Sequence, residues 1–297
     1  MMNGYFVLTT AIIATLATDN FVLAASDLVS PATFVTDFVQ CTDKDPNIAI
    51  RACTALQEMD SKNVVNALAY YNKGNAELTK NMIDAAFSDF SKAIDIAPEF
   101  DFALHNRAKI YDLRGEYQFA ISDFTRAITI SPIGGHYYNR ALTYMHMGSY
   151  VLAAQDYATT ESLWPTQNGP YAGRCRALAA QGDDLQSARA ECEHALTKDP
   201  TNSMFLTLRA FVKLKQKDFE GALVDSDTAL KNSSQQWTEG PEFKSREIQP
   251  ADALLMRGIA ETEIGRTDAG KRDIDAATEQ KHDILAQYAR MGVNPNI

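Results

Sequence analysis

The chain has 297 residues, 45% of them apolar, enough to build a real core in one large or two ordinary domains. A formal charge of −10 leaves no basic footprint, so a nucleic-acid partner is not expected. The acidic residues are spread along the chain, as on a solvated surface, and form no tail.

The first 25 residues differ from all that follows. Tyr5 to Ala17 reads YFVLTTAIIATLA, an apolar run without a charge, and TDNFVLAAS comes next. The run is short for a membrane span, and the small residues ending at Ala25 suit a processing site, so residues 1–25 are expected to be a cleaved export signal. MMNG ahead of the run carries no Lys or Arg, which departs from the usual pattern of such signals. Removing 1–25 deletes Asp19 and no base, and no membrane span is expected in the remainder. The expected location is exported, periplasmic or secreted.

Residues 26–66 read as an N-terminal helical cap. PATFVTDFVQC is followed by Asp45 as an N-cap, Pro46 at the first helical position, and NIAIRACTALQEM. Cys41 and Cys53 lie here, and Cys175 and Cys192 lie far downstream. Four cysteines allow three connectivities; loop length favours the two local pairs, in keeping with an oxidising compartment. Free buried thiols are the alternative, and without CxxC spacing there is little support for zinc or dithiol redox chemistry.

From residue 67 onward the chain repeats itself. Residues 85–98 read AAFSDFSKAIDIAP and 119–132 read FAISDFTRAITISP. Pro98, Pro132, Pro165 and Pro200 stand 34, 33 and 35 residues apart. A fixed period of this size marks a stacked structural unit. Starting the first copy at Ala67, positions 8, 20, 24, 27 and 32 hold Gly74, Ala86, Phe90, Ala93 and Pro98. The next copies place Ala108, Ala120, Phe124, Ala127, then Ala141, Ala153, Tyr157, Thr160, in the first four of these positions. Arg176, Ala188, Cys192, Ala195 follow, then Ala210, Ala222, Ser226, Ala229, then Gly258, Gly270, Ile274, Ala277. Arg176 departs from the small-residue rule at position 8. Small residues let two helices approach, the aromatic fills the seam, and the proline cannot continue the helix.

This pattern resembles the tetratricopeptide repeat, a 34-residue helix–turn–helix, in six copies over roughly 67–282. The resemblance implies an all-α fold: a right-handed superhelical α-solenoid with a C-terminal capping helix. Repeats one to five are expected over 67–231, a loop over 232–250, repeat six over 251–282, and the capping helix and tail over 283–297. The loop NSSQQWTEGPEFKSREIQP carries Trp237 and Phe243 and reads as an inert insertion or a contact segment. In DILAQYARMGV, Ile284, Leu285, Tyr288 and Met291 share one face, as a cap over the last repeat requires. In the repeat frame Cys175 takes position 7 and Cys192 position 24, both facing the seam of one hairpin, and Cys53 takes the equivalent slot in the N-terminal cap.

Nothing in the sequence calls for a catalytic centre, a metal or a cofactor. His105, His136, His146, His194 and His282 show no ligand spacing, and GxSxG, GxGxxG and P-loop patterns do not occur. Asp89, Asp123 and Asp156 recur at position 23, which points to a structural or surface role.

The resemblance puts ligands on the concave face lined by the first helix of each repeat. Candidates there are Tyr71, Asn75, Asn106, Lys109, Tyr138, Asn139 and Leu142. The echo of HNRAKIY and YNRALTY places Asn106 and Asn139 at position 6, where an amide can both donate to and accept from a peptide backbone. A subfamily binds chaperone C-termini through a dicarboxylate clamp of Lys, Asn, Asn, Lys and Arg. Those places hold Tyr71, Asn75, Asn106, Gly135 and Asn139, so the three bases are missing and that partner is not expected. The expected function is a non-catalytic envelope scaffold that binds a protein or peptide in the groove. The alternative is a cell-wall sugar-binding protein or enzyme subunit that uses groove aromatics and the 232–250 loop.

Overall fold

The computed structural model describes residues 31–58, 64–236 and 250–294. The expected signal, Trp237 and Phe243 lie outside the described residues. Within them the chain forms fifteen helices. The first two, α1 (Pro31–Gln40) and α2 (Pro46–Gln57), make the N-terminal cap. Asp45 accepts a hydrogen bond from the Asn47 amide ahead of Pro46, and Ala49, Ala52, Cys53 and Leu56 turn inward.

Six helical hairpins follow. They pair α3 (Val64–Thr79) with α4 (Ile83–Ile96), α5 (Asp101–Leu113) with α6 (Tyr117–Ile130), and α7 (Gly134–His146) with α8 (Tyr150–Leu163). Next come α9 (Gly169–Gln181) with α10 (Leu185–Lys198), α11 (Ser203–Lys215) with α12 (Phe219–Gln236), and α13 (Pro250–Glu263) with α14 (Thr267–Gln280). The fifth hairpin's second helix continues through Gln236, five residues into the stretch expected as a loop, and Pro250 opens the next helix. Only 237–249 remain between them, and these lie outside the described residues.

The small positions do what close approach demands. Ala86, Ala108, Ala120, Ala141, Ala153, Ala188, Ala210 and Ala222 are all fully buried, as are Ala93, Ala127, Thr160, Ala195, Ala229 and Ala277 at the docking position. At Gly74 an added Cβ would lie 2.7 Å from the Phe90 ring, so glycine is what lets this hairpin close on its aromatic.

Each hairpin turns through three residues, one of them left-handed: Asn81, Gly115, Gly148, Gly182, Lys217 and Gly265, with φ from 59° to 87°. In five hairpins this residue stands two places before the second helix. In the fourth, Gly182 stands three before Leu185, so Asp183 and Asp184 fill a place held elsewhere by one residue. The first helix of repeat four is therefore shifted by one position from the expected register. Position 8 is the fully buried Cys175, and Arg176 moves to position 9 on the inner face. The 35-residue step from Pro165 to Pro200 is the same insertion seen in the sequence.

Disulfides join Cys41 to Cys53 and Cys175 to Cys192. The first ties α1 to α2; the second locks α9 to α10 across the hairpin seam.

Residues 284–290 form the last helix, α15 (Ile284–Arg290). Ile284, Tyr288 and Met291 are buried, as the cap requires, with Val293 beside them, whereas Leu285 is only partly covered.

Candidate binding groove

A ladder of ion pairs holds the hairpins in register beneath the groove. Each first helix carries a base at position 7, and the second helix answers with an acid at position 23. Arg107 grips Asp123 through Nε at 2.7 Å and Nη2 at 3.0 Å. Arg140 does the same to Asp156 at 2.7 and 2.8 Å, and Arg209 to Asp225 at 2.8 Å on both arms. Arg257–Asp273 and Lys73–Asp89 complete the regular set. Repeat four uses Arg174 and Glu191, 2.9 Å apart, its longer acid matching the shifted helix. The aspartates at position 23 are thus buried structural partners in the first three repeats. The sequence held the signal, a base sixteen residues ahead of the acid in five repeats and seventeen in the fourth, which the acids alone do not show. Bidentate geometry and burial make these pairs specific for one hairpin alignment.

The first helices of successive repeats, α5 with α7, α7 with α9, α9 with α11 and α11 with α13, touch one another. The second helices do not approach one another to the same extent, so curvature puts the first helices on the inner, concave side.

In repeats one to three that inner side carries half-exposed polar groups. Asn106 Nδ2 donates to Asn75 Oδ1 at 2.7 Å, bringing two of the expected groove amides together across adjacent repeats. Asn139 instead donates back to the Gly135 carbonyl of its own helix at 2.9 Å. Lys109 is exposed, and Leu142 is half-buried beside Tyr138. The two expected aromatics are committed to packing. Tyr71 lies 4.9 Å from the Phe100 ring and 5.9 Å from Phe90, and Tyr138 stands edge-on to Tyr157 at 5.6 Å. Half-buried rings held this way spend part of their surface on packing.

Below these residues lies a part-buried contact that the sequence did not disclose. His105 and His136 meet through their Nδ1 atoms at 2.8 Å, and His136 Nε2 lies 3.3 Å from Asp101. Burial first, then the neighbouring His136, pushes His105 down to about 3, and burial likewise lowers His136. One histidine is at position 5 of its repeat and the other at position 3 of the next, a pairing invisible without the stacking geometry. Between repeats three and four, Arg174 Nη1 is shared by Glu161 at 2.8 Å and Glu191 at 2.9 Å. Burial first, then Glu191, pushes Glu161 up to about 7.

In repeats four to six the inner side is apolar and filled. The terminal helix α15 runs beside α11, with the Tyr288 ring 5.4 Å from Phe211 and its hydroxyl facing the Asp252 carboxylate. Lys281 Nζ reaches Asp252 at 3.6 Å, fixing the start of the segment. At its far end Lys215 Nζ donates to the carbonyl oxygens of Met291 at 2.7 Å and Ala179 at 2.6 Å, closing the ends of two helices with one ammonium.

Among the described residues no group of three or more His, Cys, Asp or Glu is placed to hold a metal ion. No described helix is long and apolar enough to cross a membrane. Residues 67–100 match the tetratricopeptide repeat model. The fold is that of a tetratricopeptide solenoid. No curated protein matches the chain in sequence. Among solved structures it is similar to a tetratricopeptide repeat protein from Parabacteroides merdae, with a TM-score of 0.65 and 17% identity over 88% of this chain and 98% of that one. It is also similar to YrrB, a tetratricopeptide protein with an unusual peptide-binding site (TM-score 0.55, 18% identity, 63% of this chain and 95% of that one). PilW, a widely conserved type IV pilus biogenesis factor, has a TM-score of 0.59 at 14% identity, over 76% of this chain and 98% of its own.

Proposed function

We propose that the protein is a non-catalytic scaffold of the cell envelope that holds an extended segment of a partner protein on the concave face of repeats one to three. The observation that carries this reading is the difference between the two halves of the groove. The terminal helix lies on the inner side of the later repeats, while among the described residues no such segment lies over Asn75, Asn106, Lys109 and Leu142. Paired amides offer both donors and acceptors to a peptide backbone, which gives affinity without strict sequence reading. YrrB, with its peptide-binding site, lends support to the reading on this fold, and PilW to an envelope role. Two disulfides suit an oxidising compartment such as the periplasm or the exterior.

A photo-crosslinking residue at Lys109 or Leu142 is expected to trap a discrete partner band from envelope extract, and one at Thr129, on the outer helix α6, is not. Asn106→Arg with Asn139→Arg is expected to reduce that band at least tenfold with helicity unchanged. Equal trapping from Thr129, or full capture by the double variant, would discard the groove.

A further inference from the structure

The last structured segment does more than cover the end of the stack. A cap that continued the solenoid would lie on α14 and α13 and reach no further. Here Tyr288 touches Phe211 of repeat five, and Lys215 of that repeat binds the Met291 carbonyl while also holding Ala179 of repeat four. Residues 284–293 therefore reach past the last repeat onto the inner side of repeat five, with Lys215 linking them to repeat four, on the face where the fold class places ligands. Ile284, Tyr288, Met291 and Val293 enter one apolar cluster with Ala179, Phe211 and their neighbours, and Ala286, Ala289 and Arg290 face outward. The geometry is that of an amphipathic helix laid in a groove, held by anchors at i, i+4 and i+7.

Three features distinguish this occupant from a fixed part of the core. It is short, seven helical residues after a three-residue turn. Neither disulfide reaches it. Its polar fixings are few, Lys281–Asp252 and Lys215–Met291 near its ends and the Tyr288 hydroxyl on Asp252 between them, and Lys215 still has the Ala179 carbonyl when its bond to Met291 is broken. A segment attached in this way opens locally at lower cost than the helices it covers.

We propose that repeats four to six form a second binding surface, distinct from the groove of repeats one to three, for an amphipathic helix of a partner protein, and that residues 284–293 occupy it as an exchangeable internal ligand. The partner helix is specified by what it replaces: an aliphatic residue, an aromatic hydroxyl four places later to meet Asp252, and a long flexible apolar residue three places after that. Its C-terminal carbonyls face Lys215. The surface accepts a helix end, and a free carboxylate there would meet the same ammonium.

The test uses the full chain and a fluorescein-labelled synthetic peptide of residues 282–294. The substitutions Tyr288→Ala and Met291→Ala loosen the internal helix and leave the groove intact. Fluorescence anisotropy is expected to show the peptide binding this double variant at least tenfold more tightly than wild type. Adding Phe211→Ala is expected to cancel the gain. A folded double variant that binds no more peptide than wild type, or binds it independently of Phe211, makes the helix a fixed cap and overturns the proposal. A wild-type chain that is a dimer, dissociated by the same substitutions, assigns the surface to a second copy and overturns the choice of partner. If the double variant does not fold, amide exchange on wild type decides. Residues 284–293 are expected to exchange at least a hundredfold faster than the middle of α11, and equal rates overturn the proposal.

Discussion

Glu161, buried, and His105, half-buried, sit in seams between repeats, and their shifts act on stability in opposite directions. The Glu161 carboxyl titrates near 7 in the fold, against an ordinary value of 4.5. Below pH 4.5 it is protonated whether folded or not, and it costs nothing. Between 4.5 and 7 the unfolded chain loses a proton that the folded chain keeps, so stability falls by about 1.4 kcal/mol per pH unit. Above 7 the whole cost is present. His105 runs the other way: below 6.5 the unfolded chain takes up a proton that the folded chain refuses until about pH 3, so stability falls on acidification. Comparing a variant with wild type at each pH separates the two. Glu161→Gln keeps an acceptor for Arg174 and removes the charge, so it is expected to raise stability at pH 8 by about 1–3 kcal/mol and to change little at pH 4. Urea unfolding at the two pH values measures this. A variant that gains nothing at pH 8 would show that Arg174 already offsets the burial of Glu161.

At the scale of the element, each hairpin depends on one left-handed residue. Glycine holds that place in four turns and asparagine in one, but Lys217 holds it in the fifth repeat at φ 61°. A side chain there crowds its own backbone at a cost of about 1–2 kcal/mol. Glycine regains part of that and gives some back in unfolded-state entropy. Lys217→Gly is therefore expected to stabilise the protein by about 0.5–1 kcal/mol, seen as a raised urea midpoint at an unchanged slope. A lowered midpoint would mean that Lys217 makes a compensating contact. Most of this level was legible in the sequence. Small residues, aromatics and prolines at a 34-residue spacing locate helices and turns because each is tied to a local need: close approach, filling, or a break. The one-residue shift in repeat four was less legible, because Arg176 registered only as a misfit at position 8. The inserted residue shows once Gly182 is seen to turn one place earlier than its equivalents.

For the whole molecule, stability is a sum of units and the interfaces between them, so the place of a crosslink in the stack matters. Cys175–Cys192 lies in a central hairpin with units on both sides, and Cys41–Cys53 lies at one end. Closing a loop of this length contributes about 3 kcal/mol in the chain-entropy picture. Removing the central bridge by Cys175→Ser with Cys192→Ser is expected to cost about 3 kcal/mol and to split the calorimetric transition in two, since the halves lose the unit that couples them. Removing the terminal bridge is expected to fray the first two helices and leave one main transition. A single unbroken transition in both variants would mean that the ion-pair ladder and the helix seams alone couple the stack.

The sequence by itself determined the repeating unit and its buried small residues, and it favoured the two local cysteine pairs that the structure contains. These follow from periodicity, because a residue's place within a repeat fixes its neighbours in the same hairpin and the next. Tertiary structure decided what lies between non-adjacent parts: the His105–His136 contact, the sharing of Arg174 by two acids, and the path of the terminal helix. That helix carries the apolar face of an ordinary cap. Its sequence alone does not say which apolar surface it covers, since Ile284, Tyr288 and Met291 would suit either the end of the stack or its inner side. The choice is made by Phe211, Lys215 and Asp252, groups far away in sequence that meet only when the superhelix closes around them.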